Sequence, residues 1–190
     1  GFGLKKLSNS LKVSFSVLFL AIGISVYGFE TYLEFSSNDT KTRMDALDEL
    51  KETGVEVFPN VFPSNFIESN GLTSDKDRIY PLGTISNSTT ILSNEAGFYP
   101  VIKTDEHGFN NPKGLYIKNN VDILLTGDSY TEGFSVHSNE TISAVLQQLD
   151  YNAISIGKSG NGPLLELAAL KEYGEPLKPK IVLWLYYIND

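Results

Sequence analysis

The sequence predicts an α/β domain built on a parallel sheet, carried behind an N-terminal membrane helix. Three observations lead there. The stretch from Val121 to Ile188 alternates short apolar runs with helical patterns, the runs end in Gly, Ser and Asn rather than in hairpin turns, and the first thirty residues hold one long uncharged segment. A βαβαβ order with short connections gives a right-handed parallel sheet with helices on both faces, a three-layer arrangement.

The chain has 190 residues, 41% hydrophobic and 12% aromatic, enough for one core-forming domain plus an appendage. It contains no cysteine, so disulfides, thiolate metal sites and a cysteine nucleophile are excluded. From Glu30 onward there are 12 basic and 23 acidic residues, a net charge of −11. A surface this acidic argues against nucleic acid as a partner. No residue pattern calls for a metal or an organic cofactor, and none is expected.

Val13 to Phe29 are seventeen residues without a charge. As a helix they would span ~26 Å, close to the thickness of a bilayer core. Lys5, Lys6 and Lys12 precede the run, while Glu30 and Glu34 follow it. The positive-inside rule then sets residues 1–12 in the cytoplasm, 13–29 across the membrane and the remainder outside. A cleaved signal peptide shares the charged start and apolar core, and Ala21-Ile22-Gly23 is a poor cleavage site in mid-run. A buried helix of a soluble protein is the other alternative, disfavoured by bulky side chains on every face.

Residues 30–104 are expected to be a largely irregular membrane-proximal segment with one helix. That helix runs from Asp39 as a cap to Gly54 as the stop, with Met44, Leu47 and Leu50 on one face. Val55 to Phe58 reads as a strand, and Val61 to Asn94 as an extended, poorly periodic layer. Asp105-Glu106-His107-Gly108-Phe109-Asn110-Asn111-Pro112 is a turn-rich approach to the first sheet strand.

That strand is Val121 to Thr126. Ser138 or Asn139 caps a following helix in which Ile142, Val145, Leu146 and Leu149 recur at helical spacing. Asn152 to Ile156 is the second strand. Pro163 stands in a first helical turn with Leu164, Leu167, Ala168 and Leu170 behind it, and Ile181 to Ile188 is the third strand.

Each strand ends in a polar signature: Gly127-Asp128-Ser129, then Gly157-Lys158-Ser159-Gly160-Asn161-Gly162, then Asn189-Asp190. In a parallel sheet these ends share one edge, where ligands collect. A serine there, flanked by small residues whose backbone N–H groups can face an oxyanion, is suited to acyl transfer. Gly-Asp-Ser by itself is equally a common turn. The serine is not in a Gly-x-Ser-x-Gly elbow, because Thr131 occupies the second glycine's position. The 157–162 glycines lack the Lys-Ser/Thr of a phosphate loop.

These blocks resemble those of the SGNH or GDSL hydrolases, serine esterases and related acyl-transfer enzymes, over residues 105–190. The resemblance implies a flavodoxin-like sheet, Ser129 as nucleophile with its own N–H as an oxyanion donor, Gly160 N–H as a second donor and the Asn189 side chain as a third. Ile188 stands where the family usually has a glycine. Asp105 to Asn110 and the anchor are similar to bacterial surface-anchored members. In the family the base is a histidine from a downstream Asp-x-x-His motif, and nothing follows Asp190 here. The 190 residues are therefore expected to be an N-terminal portion of the domain, incomplete at its C-terminus and inactive alone. His107 and His137 read as solvated or capping residues.

The expectation is a membrane-anchored extracytoplasmic serine hydrolase acting on an ester, such as an O-acetyl group of a surface polysaccharide. An O-acetyltransferase using the same serine, or a non-catalytic binding or assembly protein on the same fold, are the alternatives.

Overall fold

A computed structural model describes residues 8–37, 41–74 and 77–186. The chain divides into two compact units, Gly1–Lys41 and Thr42–Asp190.

Among the described residues the first unit holds one helix, α1 (Asn9–Ser37). Within it Asn9–Glu34 is 26 residues long and apolar enough to cross a membrane, with none of its side chains buried. Phe15, Leu18, Phe19, Ile22, Val26 and Phe29 are all exposed. Ser25 and Thr31 turn their hydroxyls back onto the Ala21 and Tyr27 carbonyls at 2.8 Å, so neither presents an unmet polar group. The helix is longer than the uncharged run, because no helix breaker follows Phe29.

The second unit opens with α2 (Arg43–Glu52). Its cap is Thr42: the side chain accepts from Asp45 N–H while the Asp45 carboxylate takes the Thr42 N–H at 2.9 Å, a reciprocal capping box. The expected cap, Asp39, lies outside the described residues. Ala46 and Leu47 form the buried face and Met44 is exposed, a rotation away from the expected stripe.

Residues expected to be irregular carry several short elements. β1 (Val57–Phe58) pairs in parallel with β4 (Thr89–Ile91), and β4 pairs antiparallel with β5 (Val101–Lys103). Ile91 and Val57 close over Ala46 and Leu47 as a small core. Between them lie α3 (Ser64–Glu68) and an exposed hairpin, β2 (Leu72–Ser74) with β3 (Asp77–Ile79).

The main sheet is β6 (Ile123–Gly127), β7 (Ala153–Ser155) and β8 (Ile181–Leu185), wholly parallel, in the order β7-β6-β8. Every residue of β6 is buried, as a continuous apolar run in a central parallel strand should be. Alternate side chains feed two cores. Leu124 and Ile154 point to one containing Leu165 and Ala169 of α6 (Pro163–Ala169), and Ile123, Leu125 and Ala153 to another that Leu146 of α5 (Ile142–Gln148) covers. The two crossover helices thus lie on opposite faces of the sheet. At the amino end of β6, Asp122 accepts the Asn152 N–H at 2.9 Å and the Lys180 ammonium at 2.7 Å, tying the starts of all three strands.

Two helix details differ from expectation. Thr141, not Ser138 or Asn139, caps α5 by accepting from Ala144 N–H. In α6 the buried face is Leu165, Glu166 and Ala169, with Leu164 and Leu167 exposed. The helical path continues past Ala169 through a π turn, Leu170–Gly174, into a 3-10 turn, Glu175–Leu177.

Candidate active site

Ser129 follows β6 after one intervening residue, Asp128, as the first residue of α4 (Ser129–Glu132), a single helical turn. Asp128 caps it, with Oδ1 accepting the Tyr130 N–H at 3.0 Å, so this carboxylate braces the turn as expected rather than addressing the serine. Sharp departure from the strand is possible because Gly127 has φ 150° and no Cβ: a side chain there would overlap Thr131 Oγ1 and the Leu185 carbonyl. Thr131 is fully buried, and Gly157 at the end of β7 must also lack a Cβ to make room for its methyl. One threonine thus wedges between the ends of β6 and β7.

Hydrogen bonds fix the turn from outside. Asn110 Nδ2 donates to the Glu132 carbonyl at 2.9 Å and Ser155 Oγ to the Thr131 carbonyl at 2.8 Å. Asn111 lies beside β7 like a strand residue, its amide donating to the Ser155 carbonyl at 2.7 Å and accepting the Ser155 N–H at 2.9 Å. Asp105, itself unexposed, takes Asn111 Nδ2, the Tyr116 hydroxyl and the N–H groups of His107 and Phe109. The turn-rich approach is therefore the scaffold on which α4 rests.

The loop after β7 runs alongside. Lys158 N–H donates to the Gly127 carbonyl at 3.1 Å, extending the β6–β7 pairing to the residue before the Asp128 cap. Lys158 is wholly buried and its ammonium lies 2.5 Å from Glu132 Oε1 and 3.0 Å from Asn60 Oδ1, with the Phe62 ring centroid 5.5 Å away. Glu132 Oε2 accepts the Ser159 N–H at 2.8 Å and also the Ser159 hydroxyl in a very short hydrogen bond. Gly160 follows in the left-handed region, φ 77°, beneath Phe62 and Ser64.

Among the described residues neither the Ser129 N–H nor the Gly160 N–H has a hydrogen-bond partner, and the Ser129 hydroxyl has none either. Ser129 is half-buried and lines a cavity of about 470 Å³ with Glu95, Tyr130, Phe134, Val136, Glu140 and Ile142. Gly160 does not line that cavity; its loop is joined to the serine's turn by the Glu132 contacts to Lys158 and Ser159 and by Gly157 packed on Thr131. Asn189 and Asp190 lie outside the described residues, and the last described pairing, Gly127 with Leu185, sets the carboxyl end of β8 beside the serine's strand.

Neither histidine approaches Ser129 through a hydrogen bond. His107 packs edge-on against Tyr116, with ring centroids 4.4 Å apart, and tilts over Tyr173 at 5.0 Å. The His137 ring stacks on Phe98 at 4.4 Å, and its backbone N–H donates to Glu140 Oε2 at 3.3 Å. Among the described residues no three histidine, aspartate or glutamate side chains gather as metal ligands.

Sequence reasoning passed over Glu132, Lys158, Ser159 and Asn60. The available signal was a lone glutamate and a lone lysine in two otherwise small-residue loops expected at one sheet edge. Compared with protein-family models, curated proteins and solved structures, the chain matches none.

Proposed function

We propose that this protein is a membrane-anchored, extracytoplasmic serine hydrolase that cleaves ester bonds, O-acetyl groups of a surface polysaccharide among them. The observation that carries the reading is Ser129 at the carboxyl end of the central parallel strand, its hydroxyl and N–H unpaired among the described residues, with the unpaired Gly160 N–H on the adjoining loop. In this reading Ser129 Oγ attacks the ester carbonyl and gives up its proton to a general base. The carbonyl oxygen gains negative charge and is met by the Ser129 and Gly160 N–H groups, with the Asn189 amide as third donor. The alcohol leaves with a proton, and water then releases the acid from the acyl-serine. Transfer to a sugar hydroxyl instead of water would make the same serine an O-acetyltransferase. The base in this scheme is a histidine held by a carboxylate, a role for which His107 and His137 are badly placed.

Membrane attachment through α1 is supported by its length and apolarity. Lysines before the span and acids after it support a cytoplasmic N-terminus, with Thr42–Asp190 outside.

The aromatic engagement of both histidines favours a second reading, a non-catalytic binding protein on the same scaffold. A fluorophosphonate probe applied to the whole protein in membranes separates the two. Covalent labelling that disappears in Ser129→Ala supports the hydrolase; labelling that persists in that variant removes Ser129 as nucleophile, and a parent protein that never labels leaves the binding reading.

A further inference from the structure

The buried ion pair between Glu132 and Lys158 has no place in the chemistry above, yet it stands three residues after Ser129 and two before Gly160. We propose that Glu132 is a positioning residue: its carboxylate clamps the loop after β7 to the serine's own helical turn and so sets the Gly160 N–H at a fixed offset from Ser129. The proposal rests on the reading of Ser129 and Gly160 as nucleophile and oxyanion donor.

The other ties between the two loops, Lys158 N–H on the Gly127 carbonyl and Gly157 packed on Thr131, stop short of Ser159 and Gly160. Gly157 to Gly162 contains three glycines, which leave the backbone many alternative paths. Glu132 removes those alternatives by taking both the N–H and the hydroxyl of Ser159 on Oε2, while Oε1 is held by the Lys158 ammonium of the same loop. With Ser159 N–H turned inward to Glu132, the next N–H, that of Gly160, is the one left unpaired among the described residues. The glutamate cannot swing away, since it is 2% exposed and its own carbonyl is held by Asn110 Nδ2.

Stability is a poor explanation for this arrangement. Two charges withdrawn from water lose hydration that their mutual attraction only partly restores, and apolar pairs of similar volume commonly fold as well or better. What a buried charged pair adds is a single permitted geometry, since any shift of the loop would leave an ammonium or a carboxylate unpaired in the interior. Asn60, reaching Lys158 Nζ from the segment before α3, extends the same constraint to the chain that covers Gly160.

The test uses the whole protein with both groups replaced together, Glu132→Leu with Lys158→Met, so that no lone charge is left inside. Three quantities are read: the thermal midpoint, the amide hydrogen exchange of the peptide covering residues 157–162, and the rate of fluorophosphonate labelling at Ser129. The expected result is exchange in 157–162 faster by at least tenfold and labelling of the folded fraction slower by at least tenfold, at a midpoint lowered by the stranded Ser159 donors and Asn60 acceptor. A purely structural pair would lower the midpoint as well but leave the labelling rate of the folded fraction within twofold of the parent. Unchanged exchange in 157–162 overturns the clamp itself, independently of any activity. A parent that does not label at Ser129 overturns the hydrolase reading and, with it, the catalytic purpose of the clamp. Glu132→Asp, which keeps the charge on a shorter arm, is expected to fall between parent and double variant in both exchange and labelling.

Discussion

Asp105 Oδ2 accepts the Tyr116 hydroxyl at 2.9 Å while the same side chain, with no exposure to solvent, holds Asn111 Nδ2 and the N–H groups of His107 and Phe109. Four donors converge on one carboxylate, and Asn111 in turn grips β7 beneath the serine's turn. Replacement by alanine strands the buried Phe109 N–H and removes the acceptor of the half-buried His107 N–H and Tyr116 hydroxyl, while Asn111 Nδ2 keeps only the Ser155 carbonyl. Asp105→Ala is expected to cost about 3 kcal/mol or more, and Asp105→Asn about half of that, because its one oxygen can still take the two backbone N–H groups. Urea unfolding checks both; an alanine variant within 1 kcal/mol of the parent, roughly the contribution of a single hydrogen bond, would overturn the role given to this carboxylate.

Tyr116 and Tyr173 make the fold sensitive to alkali. Burial first, then the charge and hydrogen bond of Asp105, hold Tyr116 far above the ordinary tyrosine value, and burial followed by Glu172 pushes Tyr173 up to about 12. The unfolded chain releases both protons near pH 10.0 while the native protein retains them. Above that pH the unfolded state binds fewer protons, so stability falls as pH rises; Tyr173's share is lost by about pH 12. The urea midpoint is expected to decline from pH 10 upward and to decline less steeply in Tyr116→Phe. A midpoint flat over that range in the parent would contradict the upward shift of both phenols.

Gly157→Ala places a methyl against Thr131 Cβ and Cγ2 and the Thr131 carbonyl carbon, all in a fully buried setting. Overpacking of this kind costs about 1–3 kcal/mol, and the easiest relief is to push α4 away from β7. The variant should therefore lose both thermal stability and Ser129 labelling. Full labelling in a destabilised Gly157→Ala protein would show that the serine's position does not depend on that contact.

Leu20→Arg sets a charge near the middle of Asn9–Glu34, on a side chain that is exposed along α1. Arginine at the centre of a spanning helix is unfavourable by about 3 kcal/mol on insertion scales. Parent and Leu20→Ala should stay in the membrane pellet after alkaline carbonate extraction, with a substantial part of Leu20→Arg released. Release of the parent itself would remove the spanning assignment.

Much of the architecture was legible beforehand because it depends on local patterns. Seventeen uncharged residues made α1 recognisable, although its helix runs on to Ser37 since only helix-tolerant residues follow. β6 and β8 showed as apolar runs closed by polar residues, with bounds displaced by one to three positions. Helix caps were less certain, because Asp39, Thr42, Ser138, Asn139 and Thr141 all carry suitable oxygens and only the backbone path selects among them. In α6 the run Leu164-Leu165-Glu166-Leu167-Ala168-Ala169-Leu170 is apolar almost all round, so periodicity could not choose its inner face. The sheet did, turning Leu165 and Ala169 inward and leaving Leu164 exposed. The short strands between residues 57 and 103 had no periodicity to read, being two or three residues long.

Sequence alone determined the membrane-length helix, the alternation of strand and helix, and the delivery of Ser129 by the most buried strand, since each depends on residues near one another in the chain. Tertiary structure decided the strand order β7-β6-β8 and the pairing of Glu132 with Lys158, 26 positions apart. Nothing in either loop specifies that contact. It exists because parallel pairing brings Gly127 and Lys158 side by side, after which two buried charges of opposite sign have no better partner than each other.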